Sequence, residues 1–177
     1  MRLLFIVLLG LNLSGCLGKP EGVEPIDKFE VDRYLGQWYE IARLDHSFER
    51  GLDNVSATYS LREDGGIRVI NAGRSEETGE ISSAEGRAYF VESETYGHLK
   101  VSFFGPFFGS YVIFDLDKTD YQYAFVAGNS HSYLWLLART PQVSDAVMES
   151  FINQSALLGF DTDALIFVPQ DEAKAAE

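Results

Sequence analysis

Reactive groups are few in this 177-residue chain: one cysteine, Cys16, three histidines and a surplus of carboxylates. A lone cysteine excludes an intrachain disulfide. No pair among His46, His98 and His131 has the spacing of a metal motif, so no metal is expected. The 27 acidic residues offer many carboxylates, but general acid–base work needs two of them paired in space, and spacing along the chain does not locate such a pair. No Gly-x-Ser-x-Gly elbow and no glycine-rich phosphate loop occurs. No catalytic residue is therefore assigned, and no cofactor is expected. The formal net charge of −13 argues against a nucleic-acid partner, because phosphates need Lys and Arg. What remains is a pair far apart in sequence, Trp38 and Arg139. A guanidinium over an indole contributes roughly 0.5–2 kcal/mol, and a structural role suits the pair. They can meet only if the chain between them closes on itself.

That chain reads as eight strands without a crossover helix. The first covers about 38–44. The second, 54–62, is the cleanest alternation, with Val55, Ala57, Tyr59 and Leu61 against Asn54, Ser56, Thr58 and Ser60. Glu63-Asp64-Gly65-Gly66 is a tight turn. Further strands follow at about 67–71, 87–90, 99–104, 111–116, 121–127 and 133–139, with a polar loop expected over 73–83. Short connections make an up-and-down antiparallel meander. Eight strands close to a barrel whose interior can hold one small ligand. A helix follows, with Ser144 as N-cap and Gly159 just past its end. Its apolar stripe, Val147, Phe151 and Leu158 with Met148 and Ile152, should pack on the barrel's outer wall. Leu165–Val168 then reads as a last strand beside the first. The fold class is all-β: an eight-stranded up-and-down barrel with one C-terminal α-helix outside.

The N-terminus has a different character. Met1-Arg2 is a short positive region, and Leu3–Leu13 is apolar but shorter than the roughly 20 residues that span a bilayer. In form this is a secretory signal over 1–15. Leu13-Ser14-Gly15-Cys16 resembles the lipobox of bacterial lipoproteins, which implies cleavage before Cys16 and acylation of it. Leu17 after the cysteine suggests the outer membrane. Residues 16–28, with Gly18, Pro20, Gly22 and Pro25, read as a lipidated tether, leaving 29–177 as the domain.

Gly36-x-Trp38, the Thr119-Asp120-Tyr121 turn and Arg139, joined to Tyr39-Glu40-Ile41-Ala42-Arg43, resemble the signature of the lipocalin family, and more narrowly its bacterial outer-membrane branch. The structural signature carried over is Gly36, Trp38, Asp120, Tyr121 and Arg139. The second motif departs from the family pattern, and either Asp120 or Asp117 takes its aspartate role. The resemblance implies a lipid-anchored protein of the outer membrane with its domain in the periplasm. It implies binding of a fatty acid or lysophospholipid, for storage or transport of envelope lipids, and it allows a homodimer. A lipid-modifying enzyme on the same scaffold and a structural envelope lipoprotein with a filled barrel stay open.

Strand parity selects the interior. Val55, Ala57 and Tyr59 share a face, as do Val69, Ala88 and Phe90, opposite Arg68 and Arg87. Val101 and Phe103 oppose Lys100. Tyr111, Ile113 and Val126, then Tyr133 and Trp135, complete the expected lining. Alternate strand directions put Trp38, the 119–121 turn and Arg139 at one end, read as a plug. The other end is the mouth, where Gly105-Pro106-Phe107-Phe108-Gly109 forms an apolar tip. His46 and His131 fall in mouth loops and read as solvated; the sharper reading has them meet an anionic head group.

Overall fold

The computed structural model describes residues 17–171; Cys16 and the signal segment lie outside the described residues. A short helix α1 (Val31–Tyr34) leads into β1 (Gly36–Arg43). Then follow β2 (Leu52–Leu61), β3 (Ile67–Ser75), β4 (Ile81–Phe90), β5 (His98–Ser102), β6 (Gly109–Leu116), β7 (Tyr123–Ala127) and β8 (Leu134–Ala138). Helix α2 (Asp145–Leu157) and strand β9 (Ile166–Phe167) complete the order. Every neighbouring pair from β1 to β8 is antiparallel, and β1 pairs with both β2 and β8, which closes the barrel. β9 lies against the far half of β1, Ala42 opposite Phe167. There Gln170 donates to the carbonyls of Glu40 and Val55, bridging β1 and β2 where they splay apart.

Alternation along each strand divides the apolar residues into two cores. On β8, Trp135 and Leu137 face the barrel interior with Trp38, Tyr59, Val69 and Ile113. Leu134, Leu136 and Ala138 face outward and are buried under α2 with Phe125 and Phe151. The helix starts as its sequence suggests: Ser144 Oγ accepts from the Val147 amide at 3.4 Å, and Gly159 takes a positive φ of 88° just beyond the end. That φ is strained for any side chain with a Cβ.

Two expectations are corrected. The 73–83 stretch is not all loop: β3 runs on to Ser75 and β4 begins at Ile81. Gly73, Ser82, Ser83 and Ala84 have weak strand preference and no apolar alternation, but the facing backbones supply ladder partners. Nor do residues 17–27 form a free tether. Val23 is fully buried against the helix-side core, and Ile26 exchanges backbone hydrogen bonds with Ile113 and Gly97. The Gly and Pro residues bend this segment along the outer wall; the two apolar side chains hold it there.

Candidate ligand cavity

The two ends of the barrel differ. At one, Arg139 covers the indole of Trp38, its guanidinium carbon 3.9 Å from the ring centroid. Its nitrogens donate to the carbonyls of Gln37 at 2.8 Å, Arg33 at 2.7 Å and Tyr121 at 3.3 Å. The Trp38 N–H donates to the Tyr34 carbonyl at 2.7 Å. Gly36 sits beside this Arg with a φ of 92°. The carboxylate that anchors the β6–β7 turn is Asp117, which accepts from the amides of Thr119, Asp120 and Gln122; this corrects the placement of that role on Asp120. Tyr121 serves through its ring, under Arg33 at 4.2 Å, and its hydroxyl, which accepts from the Glu30 amide. This end is closed.

The other end opens between the loops 44–51, 76–80, 103–108 and 128–133 into a cavity of about 610 Å³, within the range of small-molecule pockets. Small residues make the space: Ala57, Ala72, Gly73, Ser82, Ser83, Ala84 and Ala88 all face it. Of the residues expected from parity, Val55, Ala57, Tyr59, Val69, Ala88, Val101, Phe103, Tyr111, Tyr133 and Trp135 stand on its wall. Phe90, Ile113 and Val126 do not; they pack in the interior core away from it.

The floor is a chain of three phenols. Tyr111 Oη lies 2.7 Å from Tyr34 Oη and 2.9 Å from Tyr59 Oη. Burial raises all three above the usual tyrosine range, so they remain neutral donors and acceptors. Tyr34 belongs to the lead-in before β1, which alternation along the strands does not reach.

One side of the wall holds charge. Arg43 Nη1 donates to Glu40 Oε1 at 2.8 Å, with both side chains almost fully buried. Glu49 reaches in from the 44–51 loop. It accepts from the Trp135 indole at 3.1 Å and lies 3.0 Å from His46 Nε2. Burial, with the Glu49 charge beside it, holds the Glu40 carboxyl well above the usual range. Burial also opposes the charge on Glu49, but His46 and the indole outweigh it and keep Glu49 ionised. These opposite directions favour the proton on Glu40 and the charge on Glu49. This pairing was not visible in the sequence, since Glu49 lies between the first two strands, where no alternation assigns it a face.

The histidine expectation is corrected by the same loop. His46 is buried, stacked on Phe48 at 4.0 Å and 5.1 Å from the Trp135 ring. His131 is half-buried, with Nε2 2.9 Å from the Leu158 carbonyl and its ring on Phe160. Neither is a freely solvated loop side chain, because aromatic neighbours from distant segments cover both.

An eight-stranded antiparallel barrel, plugged at one end by Arg over Trp and open at the other, with a helix on its wall, defines a lipocalin. Comparison with known proteins agrees. Residues 29–170 match the lipocalin-like domain family, and the chain belongs to it. It is 58% identical over 170 residues to "Outer membrane lipoprotein Blc" of Vibrio cholerae, covering 96% of this chain and 99% of the relative. The protein of that name in Escherichia coli K12 is 50% identical over 151 residues, 85% of each chain. Insecticyanin from the tobacco hornworm shares the fold with a TM-score of 0.69 at 19% identity, over 90% of this chain and 89% of the other. With these relatives, the protein is placed as a lipid-anchored lipoprotein of the outer membrane.

Proposed function

We propose that the protein binds a fatty acid or lysophospholipid with its acyl chain in the barrel, and stores or carries envelope lipids on the periplasmic side of the outer membrane. The observation behind this is the cavity's size and lining: about 610 Å³, closed below by the phenols, and walled mainly by apolar side chains. Each buried methylene contributes about 0.8 kcal/mol. A chain of about sixteen carbons thus gains on the order of 10 kcal/mol against water, less what is lost on leaving a membrane and becoming ordered. No observation favours catalysis.

Mass spectrometry of gently extracted protein is expected to find a co-purifying lipid; an empty barrel after mild extraction and reloading would favour the scaffold reading. Adding a long-chain fatty acid should change tryptophan fluorescence saturably, since Trp135 faces the cavity while Trp38 is sealed in the plug. In a Trp135→Phe variant most of that change should vanish. Full retention of the signal would mean the ligand lies elsewhere.

The proposed anchor is Cys16. A Cys16→Ser variant is expected to lose incorporation of an acyl probe and to remain unprocessed or leave the membrane fraction. Unchanged labelling would rule this anchor out.

A further inference from the structure

The large apolar side chains left exposed gather at one end of the molecule. Phe104 and Phe107, 81% and 79% exposed, project from the 103–108 loop. Phe48 stands on the neighbouring 44–51 loop, Ile81 opens β4 at the same rim, and Leu157 ends α2 there. At the plugged end the corresponding residues are Leu61 and Tyr96, and Phe167 lies on the side of the barrel. Folding gains nothing from five solvated apolar side chains around one opening, and clusters of this kind mark contact surfaces.

The course of the N-terminal segment is an independent observation. Gly22 lies against Leu158, whose carbonyl meets His131 in the loop beside the mouth. Residues 22–29 then run along the outer wall toward the plug, where Asp27 pairs with Lys118. Read backwards, the chain climbs toward the open end and then doubles back in a tight turn, where the Val23 amide donates to the Pro20 carbonyl at 3.2 Å. Pro20 is still buried, so the four residues back to Cys16 reach at most about 14 Å. The ten-residue β2 spans about 33 Å along its own length. An anchor on so short a lead keeps the barrel close against the membrane, and the exposed apolar rim is the face suited to meet it.

Charge around the rim indicates which lipid face fits. Arg87 and Lys100 flank the aromatic loop, 5.8 and 5.3 Å from the Phe108 ring centroid. Glu76, Glu77 and Glu80 occupy the 76–80 loop at the same end. Cations on β4 and β5 beside the aromatic loop and carboxylates on the 76–80 loop match the phosphate and ammonium of a zwitterionic head group.

We propose that the open end of the barrel docks on a zwitterionic phospholipid surface, with Phe104 and Phe107 inserted and the cavity mouth facing the bilayer. This goes beyond ligand binding and rests on the Cys16 anchor, not on which lipid the cavity holds. The test uses the mature acylated protein in phosphatidylcholine vesicles. Phe107→Cys and Ile81→Cys are each labelled with an environment-sensitive fluorophore, with Tyr96→Cys as the plug-end control. Spin-labelled lipid is expected to quench the labels at 107 and 81 several-fold more than the label at 96. Replacing half of the lipid with phosphatidylglycerol should weaken the difference. Equal quenching at the two ends, or none at 107 and 81, would overturn the proposal. So would rim labels that are shielded without quenching and in proportion to protein density, since a second copy would then cover the rim. Stronger quenching on the anionic vesicles would overturn the choice of lipid face.

Discussion

Trp38→Ala should destabilise the fold by about 3–5 kcal/mol, the usual cost of deleting a large aromatic side chain from a core. Trp38 is fully buried at the plug, where its ring supports both the Arg139 guanidinium and the Tyr34 ring, whose centroid lies 4.6 Å away. Its removal opens a cavity and exposes the underside of Arg139, while the three carbonyls to which Arg139 donates remain. Arg139→Ala should cost less, since that side chain is partly solvated. Chemical denaturation of the two variants, with lipid titration of the folded fraction, checks this. Because the indole does not line the cavity, affinity per folded molecule should change little. Lost binding with intact stability would show that the two ends have been assigned the wrong way round.

The second large effect lies just behind the cavity wall, where Arg43 meets Glu40. Arg43→Met is expected to cost about 3–5 kcal/mol, because it strips the cation from a buried cluster that still holds the Glu49 carboxylate and leaves the Glu49 and Leu52 carbonyls without their donor. Arg43 is 2% exposed, and besides Glu40 it donates to the Glu49 carbonyl at 2.8 Å, so it also pins the loop that carries Glu49. Glu40→Gln should cost far less, since it exchanges a carboxyl that favours its neutral form for a neutral amide. Its amide resembles the protonated carboxyl: the oxygen still accepts from Arg43, and the NH2 still donates toward Glu49. The sign of the pH dependence follows from the raised Glu40 pKa. Above the ordinary carboxylate range the unfolded chain has released this proton and the folded chain has kept it, so Glu40 takes stability away as pH rises from about 4.5. Glu40→Gln should remove that decline, and urea melts between pH 5 and 8 would reveal it. An identical slope in both proteins would place the shared proton elsewhere.

The barrel was legible in the residues because its strands are half-buried. Val55, Ala57 and Tyr59 against Ser56, Thr58 and Ser60 state which face is inside, and short polar turns leave a meander as the simplest path. The same alternation located most of the cavity wall, and the Gly36-x-Trp38 and Arg139 signature identified the plug. The rest depended on contacts between segments distant in sequence. Phe90, Ile113 and Val126 have the right parity, but how far along the barrel the open space extends depends on the volumes of side chains from all the strands together. Small residues at Gly73, Ser82 and Ser83 looked like a loop in isolation, yet in the sheet they are what leaves room for a ligand.

Local pattern therefore determined the fold class, the interior face of each strand and the end that is sealed, because alternation, turn chemistry and capping act within a few residues. Tertiary structure alone decided that Glu49 and His46 turn inward, that Asp117 anchors the turn, that residues 17–27 lie on the wall and that the exposed aromatics gather at the open end. Each of these depends on burial and partners supplied by segments elsewhere in the chain: Trp135 for Glu49, Phe48 and Trp135 for His46, Ile113 for Ile26. A single stretch of sequence does not hold that information; the closed barrel does.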